Sequence, residues 1–403
     1  MRNWAGNFEF QGRVERALDV ATLQALVVTE PRLKPFGMRH SFTQIANTDG
    51  VCVDLSAWKG IEIDASNLTG RVQPGVTYAE LGAALRAKGL AVPNYASLPH
   101  VTIVGVVMTS THGSGISNPS LSISFLRMEM VDGAGELVST DANPSAMTVS
   151  LGALGIVTSL ELQVVPEFEV FQKVYLEVEL STSFAEFSEV MGCGYSVSLF
   201  TDWSNTKHNQ LWVKSKSQLP DQLFGKAASL VPCHPVPGME AENCTVQLGI
   251  PGPSAERLPH FKSEFMPSAG EELQSEFIVE RSLAIEAIAA IRALGAEITP
   301  LLYVGEIRTV AQDSFWMSPF YERDAVAFHF TWKPEWEAVR LVLAKIEAAL
   351  PTPRPHMGKL FTMDPAEVMA SYPRSADFGD VVRAFDPEGK FRNPFLDSLL
   401  GAL

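Results

Sequence analysis

Four cysteines in 403 residues, none in a Cys-x-x-Cys pair and none beside histidines at zinc-finger spacing, exclude a disulfide framework and a structural zinc. Cys52, Cys193, Cys233 and Cys244 are expected as reduced thiols, buried or half-buried. Positive charge is scarce too. Against 46 acidic residues stand 31 lysines and arginines, and the net charge of −15 repels a phosphate backbone. With no Lys/Arg stripe interleaved with aromatics to offset that field, nucleic acid and anionic membranes are not expected as partners. No stretch approaches the roughly 18 consecutive apolar residues of a membrane span, and Met1 to Asn7 lack the apolar run of a signal peptide. A cytoplasmic address follows, and a monomer is the simplest expectation.

Two nucleotide motifs are missing as well. A Rossmann site needs Gly-x-Gly-x-x-Gly, and Gly113-Ser114-Gly115-Ile116-Ser117-Asn118 lacks the third glycine; a P-loop needs Gly-Lys-Ser/Thr, and Gly358-Lys359 is followed by Leu360. His100, His112, His329 and His356 show neither His-Glu-x-x-His nor facial-triad spacing, so no metal is assigned.

What is present is a supply of core. Hydrophobic residues make up 46% and charged residues 19%, with 23 Phe, 7 Tyr and 7 Trp, enough to line a pocket as well as an interior. The length suggests two domains, one of them discontinuous in sequence. From Val14 to about Val165 short β-like runs alternate with helix-like ones. Val51 to Leu55 and Gly70 to Pro74 read as strands, Leu18 to Val28 as a helix with Asp19 and Thr22 in its first turn, and Tyr78 to Arg86 as a helix capped by Thr77. Beyond Glu167 longer alternating strands take over, among them Val174 to Leu180, Gln210 to Lys214 and Ala325 to Trp332, with helices at Leu283 to Leu294 and Trp336 to Leu350. Such alternation indicates an antiparallel sheet covered on one face by helices. The Pro/Gly-rich tract Leu219 to Pro253 reads as a long surface excursion. The expected class is α+β, divided at 1–166, 167–358 and 359–403.

Without either nucleotide motif, an extended phosphorylated cofactor can still be gripped by several separate glycine and hydroxyl turns, whose N–H groups jointly make an anion-binding concavity. Val104 to Gly115 suits that use. Gly105 and Gly113 permit close backbone approach, and Thr109, Ser110 and Thr111 add hydroxyls without charge. Further upstream, Pro35-Phe36-Gly37-Met38-Arg39-His40-Ser41 sets a histidine beside a glycine turn.

A second constellation lies in the later half. In Tyr303 to Val310, Glu306 and Arg308 project from one face of a strand while Ile307 points to the other. Opposite charges at i and i+2 also suit an exposed pair, yet Leu301, Leu302, Val304 and Val310 favour a buried strand in which unpaired charge is expensive. His329 and Thr331 share a face by the same logic. Gln274 offers an amide, and His356 and Lys359 a further histidine and a cation. Converging Gln, Glu, Arg, Thr and Lys make a hydrogen-bonding surface for a polyhydroxylated ligand.

Read together, Pro35 to Ser41, Ala96 to Gly105, Thr109 to Gly115 and Ser150 to Thr158 resemble, in order, the cofactor-contacting stretches of the vanillyl-alcohol-oxidase-type FAD-linked oxidases, and Gly305 to Val310 with His329 to Trp332 and His356 to Lys359 resemble the substrate side of their alditol-oxidising branch. The resemblance implies a two-domain FAD fold and FAD bonded through its 8α-methyl carbon to His40. Pro35, Phe36, Gly37, Met38, Arg39, His40 and Ser41 would wrap the cofactor. Ser97, Thr102 and Gly105 would line the isoalloxazine side, Thr109, Ser110, Thr111 and His112 the diphosphate, and Ile156 the adenine end, with His356 also at the cofactor. Ser97, Gln274, Glu306, Arg308, Thr331 and Lys359 would bind a polyol, with Glu306, Arg308 and Lys359 catalytic. The implied reaction passes hydride from a terminal CH2OH of an alditol such as xylitol or sorbitol to FAD, with dioxygen as acceptor and hydrogen peroxide as product. Met357, where many relatives have Trp, and Met38 and Met108 near the cofactor turns bear on which polyol is preferred. A sugar-1,4-lactone oxidase of the same fold, retaining His40 and the Glu306/Arg308 pair, is the alternative, and a non-catalytic flavin or sugar binder a remoter one.

Overall fold

The protein is described from a computed structural model, over residues 1–139, 143–265 and 272–401. Three sheets organise it. A parallel sheet places Val51–Asp54 between Arg13–Arg16 and Leu33–Phe36. Its crossover helix, Val20–Thr29, starts two residues later than the apolar pattern suggests, because the Asp19 carboxylate accepts from the Thr22 N–H at 2.8 Å and so caps the first turn from outside. A five-stranded antiparallel sheet follows in the order Ile61–Asp64, Thr69–Val72, Ile156–Gln163, Phe125–Val131, Leu137–Ser139. Helix Tyr78–Arg86 packs against it, entered through a capping box of Thr77 and Glu80.

An eight-stranded antiparallel sheet carries the later half, in the order Gly252–Pro253, Glu169–Leu176, Gln210–Ser215, Ser196–Thr201, Leu302–Val310, Ala325–Trp332, Leu273–Glu280, Arg354–Pro355. The strand expected at Val174 to Leu180 lies earlier, at Glu169–Leu176. Glu177 ends it by turning to φ +58, a conformation no strand can continue through. One face of the sheet buries Val197, Leu199, Phe277, Ile307, Phe328 and Phe330 against helices Phe184–Met191, Ala284–Ala293 and Trp336–Ala349. Trp203, Phe330 and Trp332 stack in sequence there. The other face carries a polar patch, from Gln274 and Glu276 across His329 and Thr331 to Glu306 and Arg308, between apolar groups that include Phe200, Trp212, Ile278 and Val310.

The tract Leu219 to Pro253 runs largely over the surface, with Leu230, Val231 and Ile250 exposed, and one part of it folds inward. Cys244, Thr245 and Gln247 are buried, Gln247 closes a reciprocal pair of hydrogen bonds with the Cys233 backbone at 2.8 Å, and His234, Val236 and Met239 line a cavity. Side chains such as Thr245 and Gln247 let the inward part of this irregular backbone satisfy its polar groups. The C-terminal residues turn back toward the amino end. Asn393 donates to the carbonyls of Gln44, Ile45 and Asn47, Leu33 N–H to Lys390 O, and Val368, Phe378 and Leu396 join the core of the five-stranded sheet. All four cysteines are free, Cys52 and Cys244 buried and the others half-buried. Among the described residues no helix is long and apolar enough to cross a membrane.

Candidate active site

The polar patch of the large sheet and the loops of the amino-terminal half enclose a cavity of about 470 Å³. The loop wall comes first. Main-chain N–H groups of Met38, Arg39, His40 and Ser41 make no hydrogen bond within the described residues, whereas the backs of this turn are pinned: Asn3 donates to Ser41 O, Asn7 to Phe42 O and Trp4 N–H to Arg39 O. Carbonyls are thus held away from the cavity and N–H groups left for a ligand. A Cβ at Gly37 would stand 2.5 Å from Thr102 Oγ1, and one at Gly105 2.9 Å from the same atom, so only glycine leaves this cradle open. The Trp4 ring lies 4.4 Å from that of His40. Burial, then the charges of Lys359 and His100, push the His40 imidazole down to about 4, so it is neutral with a free lone pair at neutral pH. Open amides, a glycine cradle and a neutral imidazole fit a phosphorylated flavin.

The sheet wall is charged. Register places Glu276, His329 and Glu306 in one row across three strands, with Gln274 and Thr331 in the next. Strand alternation turns all five toward the cavity, together with Arg308. Arg308 shares its row with Ala327, a side chain too small to block the guanidinium from reaching across to Glu276 at 2.8 Å. Glu276 Oε2 accepts from Lys359 at 2.9 Å, and the His112 imidazole stands 3.3 Å from Oε1. Glu276 is therefore held by two cationic donors, with an imidazole alongside. Glu306 differs, since Oε1 meets His260 Nε2 at 2.9 Å and Arg308 Nε at 3.5 Å, while Oε2 has no partner among the described residues.

Charge states follow from these contacts. Burial alone would raise both carboxyls, but Lys359, His112 and Arg308 hold Glu276 well below the usual range, and Arg308 and His260 do the same for Glu306. Both are carboxylates. The two anions in turn keep Arg308 charged against its burial. Lys359 is pulled down, first by desolvation, which Glu276 offsets, and further by Arg308. Burial and the Lys359 charge keep His329 neutral; its Nδ1 takes a Lys359 hydrogen at 2.7 Å, which leaves Nε2 to donate to Thr331 Oγ1 at 3.1 Å. His356, pushed to about 3 by burial and Lys359, accepts the Gly358 N–H.

Of the residues expected at the site, Pro35 to Ser41, Ser97, Thr102, Gly105, Thr109, Thr111, His112, Ile156, Gln274, Glu306, Arg308, Thr331, His356 and Lys359 all line this one cavity. Ser110 does not. Held at φ +54, it turns its hydroxyl away to Ser318 Oγ at 2.9 Å and is fully buried. Glu276 went unread although it stands two residues beyond Gln274 on the same strand face, the same spacing that marks Glu306 and Arg308. His260 and Lys214 carried no signal, because nothing local ties them to Glu306. Among the described residues no group of three His, Cys, Asp or Glu side chains is arranged to hold a metal.

Comparison with known proteins gives this arrangement its place. A family model described as an FAD binding domain matches residues 15–141, and one for D-arabinono-1,4-lactone oxidase matches 272–399. The fold superposes on cholesterol oxidase from B. sterolicum with a TM-score of 0.79 over 99% of this chain and 96% of that one, at 14% identity. It superposes on the xylooligosaccharide oxidase of Myceliophthora thermophila with a TM-score of 0.76 over 98% and 93%, at 13% identity. Fold and loop wall together define the class of FAD-linked oxidases of the vanillyl-alcohol-oxidase type. In sequence the chain is 44% identical to the alditol oxidase of a Streptomyces species over 99% of its own length and 98% of the relative's, and 26% identical to L-gulono-1,4-lactone dehydrogenase of Mycobacterium tuberculosis over 92% and 90%. The chain belongs to the alditol oxidase family.

Proposed function

We propose that this chain oxidises a terminal primary alcohol of an alditol such as xylitol or sorbitol to the aldose, with FAD bonded to His40, and passes the electrons to dioxygen to give hydrogen peroxide. One observation carries the reading. The turn bearing Lys359 is stitched to the turn bearing His40, since Phe42 N–H donates to Gly358 O at 2.7 Å, so the substrate-side cation and the attachment histidine share one corner of the cavity. Bound FAD supplies the hydride acceptor; everything else falls to the chain.

Arg308 and Lys359 converge on the place for an alcohol oxygen. The guanidinium polarises that oxygen, and Lys359, in the neutral amine form that desolvation favours, takes the hydroxyl proton onto the Nζ lone pair as the carbon–hydrogen bond breaks. Glu306 Oε2 accepts from a neighbouring hydroxyl, and Gln274, Thr331 and Ser97 extend the polar lining along the chain of the polyol. His234, Val236 and Met239 line the cavity from the tract opposite the loops and limit water around the reacting carbon. We assign the chain to the cytoplasm, as a monomer, with domain limits at 166 and 358.

Purified protein is expected to release peroxide with xylitol or sorbitol and to bleach near the blue end of the visible range when polyol is added without oxygen. Turnover of a 1,4-lactone in preference to either polyol would move the assignment to the lactone oxidases, and absence of bleaching would leave a binder. After acid denaturation the yellow colour should stay with the peptide spanning Gly37 to Phe42 and leave the polypeptide in His40→Ala.

A further inference from the structure

Beside Glu306 runs a column of buried groups, from His260 at the cavity wall inward to Lys214, that the proposed reaction does not use. Lys214, on strand Gln210–Ser215, is 1% exposed, and its Nζ meets Leu258 O at 2.5 Å, Pro259 O at 3.0 Å and His260 Nδ1 at 3.1 Å. His260 Nε2 then meets Glu306 Oε1 at 2.9 Å. The imidazole is held edge-on by Phe200 and Trp212, each with its centroid 5.4 Å away, and its backbone N–H is anchored on Ser97 O. Lys214 and His260 both lie between the stretches matched by the two family models, 15–141 and 272–399.

Counting donors decides what the column does. Two carbonyls can only accept, so two N–H groups of Lys214 go to them. As an ammonium, Lys214 aims its third N–H at His260 Nδ1, which must then carry the lone pair, and the ring hydrogen sits on Nε2 and is donated to Glu306. As a neutral amine it would present a lone pair, the hydrogen would move to Nδ1, and Nε2 would face a carboxylate oxygen lone pair to lone pair. The hydrogen bond to Glu306 therefore requires the charge on Lys214.

We propose that Lys214 and His260 are positioning residues for substrate binding: Lys214 fixes the tautomer of His260, and His260 holds Glu306 by one oxygen so that the other, Oε2, faces a hydroxyl of the substrate. The inference rests on the polyol reading of the site. It extends the binding machinery to a chain of groups reaching three strands across the sheet, Lys214 to Glu306, without contact between Lys214 and ligand.

The test is a double-mutant cycle on the FAD-loaded enzyme with xylitol as the probe, with absorbance of bound flavin and thermal unfolding as readouts of integrity. Lys214→Met keeps the apolar stem and removes all three donors. It should raise KM for xylitol about tenfold, as loss of a hydrogen bond to a charged group does, and affect KM more than kcat. In a Glu306→Ala background the same substitution should add nothing further. Equal KM in Lys214→Met and the parent, or an effect that multiplies with that of Glu306→Ala, would overturn the positioning role. An unchanged KM in Glu306→Ala alone would instead overturn the polyol reading beneath it. Should Lys214→Met not fold, His260→Phe leaves Lys214 on its two carbonyls and asks the same question of the Nε2 hydrogen, with the same non-additivity expected.

Discussion

The two walls of the cavity solve opposite problems. The loop wall presents main-chain amides, glycines and hydroxyls from irregular turns, with Gly37 and Gly105 open against Thr102 and four successive N–H groups unpaired. The sheet wall presents Glu306 and Arg308 from one strand and Glu276 from the next but one, with Lys359 on the turn beside them, buried and paired among themselves. A cofactor that stays can be held by many weak contacts of fixed geometry. A substrate that must enter, react and leave needs a few strong charges held ready in a low-dielectric site, and only a stiff sheet keeps such charges from collapsing onto one another.

Four changes would break or sharpen that contrast, in falling order of effect. Glu276→Gln should be the most damaging: it removes the anion facing Arg308 and Lys359 and leaves buried cations uncompensated, a loss of about 3–5 kcal/mol read from urea unfolding. Next, Gly37→Ala puts a Cβ 2.5 Å from Thr102 Oγ1. Flavin content should fall by about half or more with the fold intact, since a 1–3 kcal/mol overpacking cost falls on the cradle, and Gly37→Ala with Thr102→Gly should recover it. Full flavin content in Gly37→Ala would remove the distinction between the walls.

The third change is in pH. His260 and His356, at about 4 and 3 against an ordinary value near 6.5, hold protons less readily in the fold than in the unfolded chain. As pH falls below about 6.5 the unfolded chain takes up protons first, so the contribution of these two histidines to stability is complete above that value and is lost between about 6.5 and 3. Glu276 and Glu306, held low, then extend the loss below the ordinary carboxylate range. Unfolding midpoints measured from pH 8 to pH 4 should show this slope, and His260→Gln with His356→Gln should flatten its upper part. The smallest effect is expected from Arg86→Ala, which breaks a pair with Glu256 half-exposed at both ends; a change of about 0.5 kcal/mol or less sets the scale for charges outside the cavity.

Much of this was legible one strand at a time. Alternation alone put Glu306 with Arg308 and His329 with Thr331, and the glycine and hydroxyl turns from Gly37 to Gly115 announced a phosphorylated cofactor in the absence of any Rossmann or P-loop pattern. Boundaries failed where one side chain or one dihedral intervened, as with the Asp19 cap and Glu177 at φ +58. The tract Leu219 to Pro253 reads as surface and largely is, yet proline and glycine mark irregular backbone without saying which part of it folds inward toward the cavity. The hydroxyl of Ser110 turns away from the cavity because a backbone at positive φ reverses its side chain, which composition does not reveal.

By itself the sequence determined the class of fold, the placement of the cofactor turns near the amino end and the facing of each polar pair on its own strand, since period-two alternation and turn chemistry are local properties of the chain. The tertiary structure alone decided that Glu276, His329 and Glu306 stand in one row, that Arg308 can reach across Ala327, and that Lys214 is joined to Glu306 through His260. Those relations depend on strand register and on order across the sheet, which are settled by the packing of the opposite, apolar face and leave no mark in the neighbouring residues.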